Sequence, residues 1–189
     1  ELRDLAEVAA KRDLLVVSDE IYNLFCYDAP FASMASLYDN TLLIRGFSKT
    51  YAMTGWRVGW CTGPRPILEK MTMLQQYSFV CAPSMAQEAV LAAFDVDMSA
   101  AVANYRRKRD MVCRALGETF GLVRPGGAFY AFVPAPGGDA TAFVTRAIEN
   151  NVLVIPGNVF STHNTHFRIS YATSDEKLAE GLEVLNRLA

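Results

Sequence analysis

The stretch Gly46-Phe47-Ser48-Lys49-Thr50-Tyr51-Ala52-Met53-Thr54-Gly55-Trp56-Arg57 gathers reactive groups into one polar loop. Lys49 sits there among aromatic and small residues, just after an apolar run ending at Ile44. An amine so placed can shed its proton and attack an aldehyde, although spacing alone fits a solvated loop lysine better. The glycines do not follow the GxxxxGK[ST] order of a phosphate loop. A second stretch, Ser18-Asp19-Glu20-Ile21-Tyr22, puts a carboxylate at the end of another apolar run and a phenol three residues on. By itself it reads as a strand-end cap. His163 and His166 lie three apart without nearby Cys or carboxylate partners. They read as part of a solvated loop, and no metal site is expected.

The elements that position these groups follow from hydrophobic spacing. Leu2, Leu5, Val8 and Ala9 have helical spacing from the first residues, and Leu14–Val17 reads as a short strand buried on both faces. Two more strands are expected at Thr41–Ile44 and Arg57–Cys61, then a helix from Ile67 to about Tyr77 with Pro66 in its first turn. Ser84 is expected to cap a helix over Met85–Phe94, and a long helix runs from Ser99 to Phe120. Beyond Gly121, strands are expected at 128–133, 152–155 and 167–171, with helices at 140–150 and 175–188. Thr173 and Ser174 precede the last helix, whose Leu178, Leu182, Leu185 and Leu188 share one face. The fold class is α/β: part of a larger sheet domain over residues 1–97, and a smaller α+β domain over 98–189.

Composition narrows the functional classes. The chain has 189 residues, is 51% apolar and 20% charged, and carries a net charge of −2 from interspersed acids and bases. That argues against nucleic acid or an anionic membrane as the partner. No apolar run approaches the roughly 20 residues that span a bilayer. Cys26, Cys61, Cys81 and Cys113 are scattered without a CxxC, which suits free thiols and a cytoplasmic setting.

Taken together, SDEIY and GFSKTYAMTGWRVGW resemble the fold-type I aminotransferases of the aspartate/aromatic branch, which use pyridoxal 5′-phosphate (PLP). PGGAFYAF (125–132), VIPGNVF (154–160) and FRISYATSDEKLAEGLEVL (167–185) extend the resemblance over nearly the whole chain. It implies a large-domain portion, mostly parallel sheet with helices, followed by the small C-terminal domain. Lys49 matches the lysine that forms the Schiff base with PLP and then moves the substrate proton. Asp19 matches the aspartate that pairs with the pyridine nitrogen, and Tyr22 the tyrosine that binds the phenolic oxygen. Arg57 matches the arginine that grips the phosphate. Ser48 either donates to that phosphate or caps the local turn. Arg168 matches the arginine that holds the substrate α-carboxylate, whereas its periodicity alone suggests an exposed strand arginine. Tyr130 and Phe160 match residues near the substrate mouth, and aromatic packing accounts for them equally.

The resemblance further implies amino acid and 2-oxo acid substrates and a homodimeric parent protein. Relatives in this family carry an N-terminal half that lacks any counterpart here. With the chain opening in mid-helix, this leads us to expect a fragment of a longer enzyme, with little activity on its own. A PLP-dependent lyase or synthase of the same fold, and a non-catalytic sensor domain, are the alternatives that share these residues.

Overall fold

The computed structural model describes residues 1–189. They form two compact units, one of residues 1–24 and 30–98, the other of residues 25–29 and 99–189. No helix is long and apolar enough to cross a membrane.

The first unit opens with α1 (Leu2–Lys11), which buries Ala6 and Ala9. Asp13 takes the left-handed conformation (φ 50°), and the Leu14 amide turns back to the Ala9 carbonyl at 3.0 Å, closing the helix. The Leu14 carbonyl is taken by Tyr38 Oη (2.9 Å) and Asn40 Nδ2 (3.2 Å). Leu14 is therefore spent before the sheet starts. β1 covers Val16–Asp19 rather than Leu14–Val17. Nor is it buried on both faces: its residues alternate between half-buried and exposed, with Val17 58% exposed. β1 runs parallel to β2 (Thr41–Gly46), pairing Val16 with Thr41 and Asp19 with Ile44. β2 pairs antiparallel with β3 (Gly59–Thr62), ending at Gly46 opposite Gly59. β3 starts two residues later than expected because Arg57 is left-handed (φ 53°), which no strand residue can be. α2 (Arg65–Gln76) and α3 (Ser84–Ala93) follow. Ser84 does not cap α3. It lies inside the first turn, and Pro83 is the boundary residue, accepting from the Ala86 and Gln87 amides.

Past the end of β1 lies the main polar anchor of this unit. Glu20 is buried, and its two oxygens accept from five donors. Oε1 takes Ser33 Oγ (2.6 Å), Ser18 Oγ (3.1 Å) and the Met34 amide (3.3 Å). Oε2 takes Arg45 Nη2 (2.8 Å) and Nε (3.1 Å), a bidentate pair. Arg45 also lies over the Phe31 and Trp60 rings, at 5.7 and 5.8 Å from their centroids. Burial pushes the Glu20 carboxyl up, but the bonds from Ser33, Arg45 and Ser18 outweigh it and hold it below its ordinary range.

In the second unit, α4 (Ser99–Phe120), α5 (Ala140–Glu149) and α6 (Asp175–Leu188) cover one face of an antiparallel sheet. That sheet has the order β4 (Tyr130–Pro134), β6 (His166–Ser170), β5 (Ile155–Pro156). Ala131, Val133, Phe167 and Ile169 face the helices and are buried. Phe120, Phe143 and Phe167 meet there with ring centroids 4.8–6.0 Å apart. Ser174 caps α6 by accepting from the Lys177 amide.

Residues 25–29 belong to this unit through local bonds. The Ala128 amide donates to the Phe25 carbonyl (2.8 Å) and the Tyr27 amide to the Gly126 carbonyl (2.9 Å). Phe25 packs edge-on against Tyr105 and Phe129. Arg109, fully buried, bonds Asp28 (2.6 Å), Asp110 (2.9 Å) and the Pro125 carbonyl (3.1 Å) beside the Tyr27 ring. Tyr27 and Tyr171 both donate to the Ala128 carbonyl. Burial pushes the Tyr27 phenol up to about 12, so it stays a donor at neutral pH.

Gly157 lets the loop after β5 close on the sheet. A Cβ there would lie 2.4 Å from the His166 carbonyl oxygen and 3.2 Å from Phe132 Cζ.

Two outcomes are expected. Glu20→Gln should cost about 2–4 kcal/mol at pH 7, since it leaves Arg45 without its anion. A carboxyl held below 4.5 in the folded state stabilises above that pH and loses its contribution as pH falls through the folded value. Urea midpoints measured from pH 7 to 3 should therefore fall less steeply in the variant; parallel curves would count against the anchor. Gly157→Ala should cost about 1–3 kcal/mol by forcing backbone apart, read as a lowered thermal midpoint.

Candidate functional site

The loop from Phe47 to Val58 leaves the sheet at the Gly46–Gly59 pair and returns to it. Its two ends are anchored in apolar core. Phe47 and Val58 are buried with Ala86, Val90 and Ala93 of α3, and Tyr51, Met53 and Ala82 pack against them. Phe47 also meets Phe94 edge-on at 5.3 Å. Backbone bonds from Phe47 to Val58 (3.3 Å), from Tyr51 to Phe47 (3.2 Å) and from Trp56 to Met53 (3.2 Å) shape the loop between the anchors. The polar residues are thus held by burial of their neighbours. A Cβ at Gly46 would meet only the movable tip of Ile21 (Cδ1, 2.8 Å), with the Val58 carbonyl at an ordinary 3.5 Å.

Lys49 lies in the first turn of this loop, half-buried, and its amine has no hydrogen-bond or ion-pair partner in the chain. The Ser48 hydroxyl beside it is also unpartnered, so it does not cap the turn. Arg57, at the far end, is exposed and left-handed. Its Nη1 donates to the Thr54 carbonyl (3.0 Å), leaving its other donors outward. A non-glycine residue in this conformation stores roughly 1–3 kcal/mol of strain, which the buried Val58 next to it helps to hold.

Asp19 ends β1, one strand away from the root of the loop. Side chains alternate along a strand, so the burial of Ser18 and Glu20 on one side sends Asp19 to the other. Its Oδ1 accepts from the Ile21 amide at 3.2 Å, and Oδ2 carries no bond. Tyr22 follows in the same turn and is half-buried. Asp19, Tyr22, Ser48, Lys49 and Arg57 all belong to the first unit.

Arg168 belongs to the second unit, in the middle strand of its sheet, opposite Phe132 and Ile155. It is half-buried rather than an exposed strand arginine. Its guanidinium carbon lies 4.6 Å from the Tyr130 ring centroid and 4.2 Å from that of Phe160. Two residues earlier, His166 is not in a solvated loop: it starts β6 and stacks on Phe132 at 5.0 Å. His163 does lie exposed in the preceding loop.

Sequence reasoning passed over Glu20 and Arg45, although both flank the quoted motifs. A charged residue beside the polar end of each apolar run was the available signal. It also gave no role to Phe47 and Val58, whose burial fixes the loop.

The chain matches the model of the aminotransferase class I and II family over residues 1–185. YugH of Bacillus subtilis (strain 168) is 40% identical, over 99% of this chain and 51% of its own length. Aromatic-amino-acid aminotransferase 2 of Thermococcus litoralis is 36% identical, over 100% of this chain and 52% of its own. The crystal structure of aspartate aminotransferase from Thermotoga maritima superposes with a TM-score of 0.92 at 33% identity, covering 98% of this chain and 50% of that one. The chain spans about half the length of the curated relatives it matches. With this fold, this loop and these matches, the chain belongs to the aminotransferase class I and II family.

Proposed function

We propose that this chain carries the lysine-bearing part of a PLP-dependent aminotransferase that exchanges an amino group between an α-amino acid and a 2-oxo acid. The family is generally PLP-dependent. The observation that carries the reading is the buried-anchored loop that presents an unpartnered Lys49 amine one strand away from an Asp19 with a free carboxylate oxygen.

The donor set suits the cofactor. An amine fits an aldehyde, a hydroxyl and a guanidinium fit a phosphate, and a carboxylate fits a protonated ring nitrogen. When bound, PLP supplies the aldehyde carbon that takes up an amino group and a ring that accepts electrons. Asp19 would keep a proton on the ring nitrogen. Tyr22 would donate to the phenolic oxygen. Ser48 and Arg57 would hold the phosphate. Lys49 would accept the proton from the substrate α-carbon and return it, a role worth typically 10²–10⁴ in rate. Arg168 would hold the α-carboxylate through paired N–H donors.

We assign the whole protein to a cytoplasmic homodimer as part of the same reading. Exposed apolar residues on the helices of the first unit, among them Met73, Leu74, Tyr77 and Leu91, support it. So do the four unpaired cysteines.

Two measurements test the site. Borohydride treatment of the PLP-loaded protein and peptide mapping should place the pyridoxyl group on Lys49. A label on another lysine would overturn the assignment. Asp19→Asn should lower turnover by about 100-fold or more while changing PLP affinity far less. Unchanged turnover would remove Asp19 from its role.

A further inference from the structure

The β4–β6–β5 sheet covers its core with one face only. Ala131, Val133, Phe167 and Ile169 go inward. Tyr130, Phe132, His166 and Arg168 go to the opposite face by strand alternation. Arg168 is the only lysine or arginine that β4, β5 and β6 contribute there. It has no ion pair and no side-chain hydrogen bond in the chain. Two rings hold it instead. Tyr130 reaches from β4, diagonally across the ladder, where long side chains on one face still touch. Phe160 comes from the turn after β5, where its amide donates to the Gly157 carbonyl at 2.8 Å. Gly157 places that turn, since any Cβ would strike the backbone of His166. Phe160 in turn meets Phe132 edge-on at 6.4 Å, and Phe132 stacks on His166.

A guanidinium over aromatic faces keeps its in-plane N–H groups for other partners. The rings also exclude water beside it, which strengthens its attraction for an anion. Fixing its rotamer beforehand removes an ordering cost from binding. We propose that Tyr130 and Phe160 are positioning residues for Arg168, and that the three together form a preset clamp for a small planar carboxylate. This rests on the reading of Arg168 as the substrate-carboxylate residue and names what makes it effective. Phe160 acts through the arginine and touches no reacting atom. Its effect falls on binding of the charged group, not on the proton transfer at Lys49.

The test compares 4-methylpentanoate with its uncharged isostere 4-methylpentanamide, binding each to the PLP-loaded protein by calorimetry, alongside steady-state kinetics. Phe160→Leu should weaken the acid about 10-fold and the amide less than about 2-fold, raising KM while kcat stays within about 3-fold. Phe160→Tyr should restore acid binding, because it returns the ring face. Tyr130→Phe should leave it unchanged, and Tyr130→Leu should repeat the Phe160→Leu effect. Phe160 is 47% exposed, so the Phe160 variants are expected to fold. Equal weakening of acid and amide, or no recovery in Phe160→Tyr, would show mere packing and overturn the proposal. Acid binding unchanged in Arg168→Gln would overturn it at its root. Failure of the borohydride label on Lys49, with acid-over-amide discrimination intact, would instead sink the aminotransferase reading and leave the clamp standing.

Discussion

The buried ion pair between Glu20 and Arg45 is the constraint on which the first unit's chemistry depends. A carboxylate this deeply buried loses several kcal/mol of hydration, and it stays charged only because its donors replace water. Those donors come from three places: Ser18 on β1, Arg45 on β2 and the Ser33–Met34 turn. Satisfying one side chain therefore fixes the ends of two parallel strands and the connection between them. Asp19 precedes Glu20, and the lysine loop begins two residues after Arg45. Both lean on the same electrostatic knot, although neither contributes to it.

The second unit solves a similar problem differently. Arg109 is fully buried, yet its neutralising carboxylates, Asp28 and Asp110, are partly open to solvent. Its charge is carried outward rather than enclosed. Arg168 takes a third route, with rings in place of carboxylates. Three cations are thus held by a bidentate acid, by a fan of surface acids and by aromatic faces. The last leaves the whole guanidinium edge uncommitted and on a half-buried face, which is what a binding residue needs.

Much of this was legible in the sequence where the signal is local. The helices α4, α5 and α6 follow from spacing and caps, and the loop residues stand out by their types and order. Strand edges were not legible. The start of β1 is set by Tyr38 and Asn40, more than twenty residues away, which claim the Leu14 carbonyl. The start of β3 is set by the left-handed Arg57, a conformation that no propensity favours. Glu20 looked like one more strand-end carboxylate because its partners lie up to 25 residues off. Arg168 looked exposed because periodicity reports which face a residue is on, not whether rings close over it.

The passage of Phe25–Ala29 through the second unit changes what modularity means for this chain. The peptide crosses between the units after residues 24, 29 and 98, so neither unit is a contiguous stretch. Residues that pair within the second unit, such as Cys26 with Gly127, are about a hundred positions apart. Closing so long a loop is slow, and the second unit cannot finish its core until the beginning of the chain has arrived. During synthesis on the ribosome, the early segment must stay available until the late one emerges. Gene fusion or exchange at residue 98 would strand Arg109 with half its counter-charge, because Asp28 would leave with the early segment while Asp110 stayed.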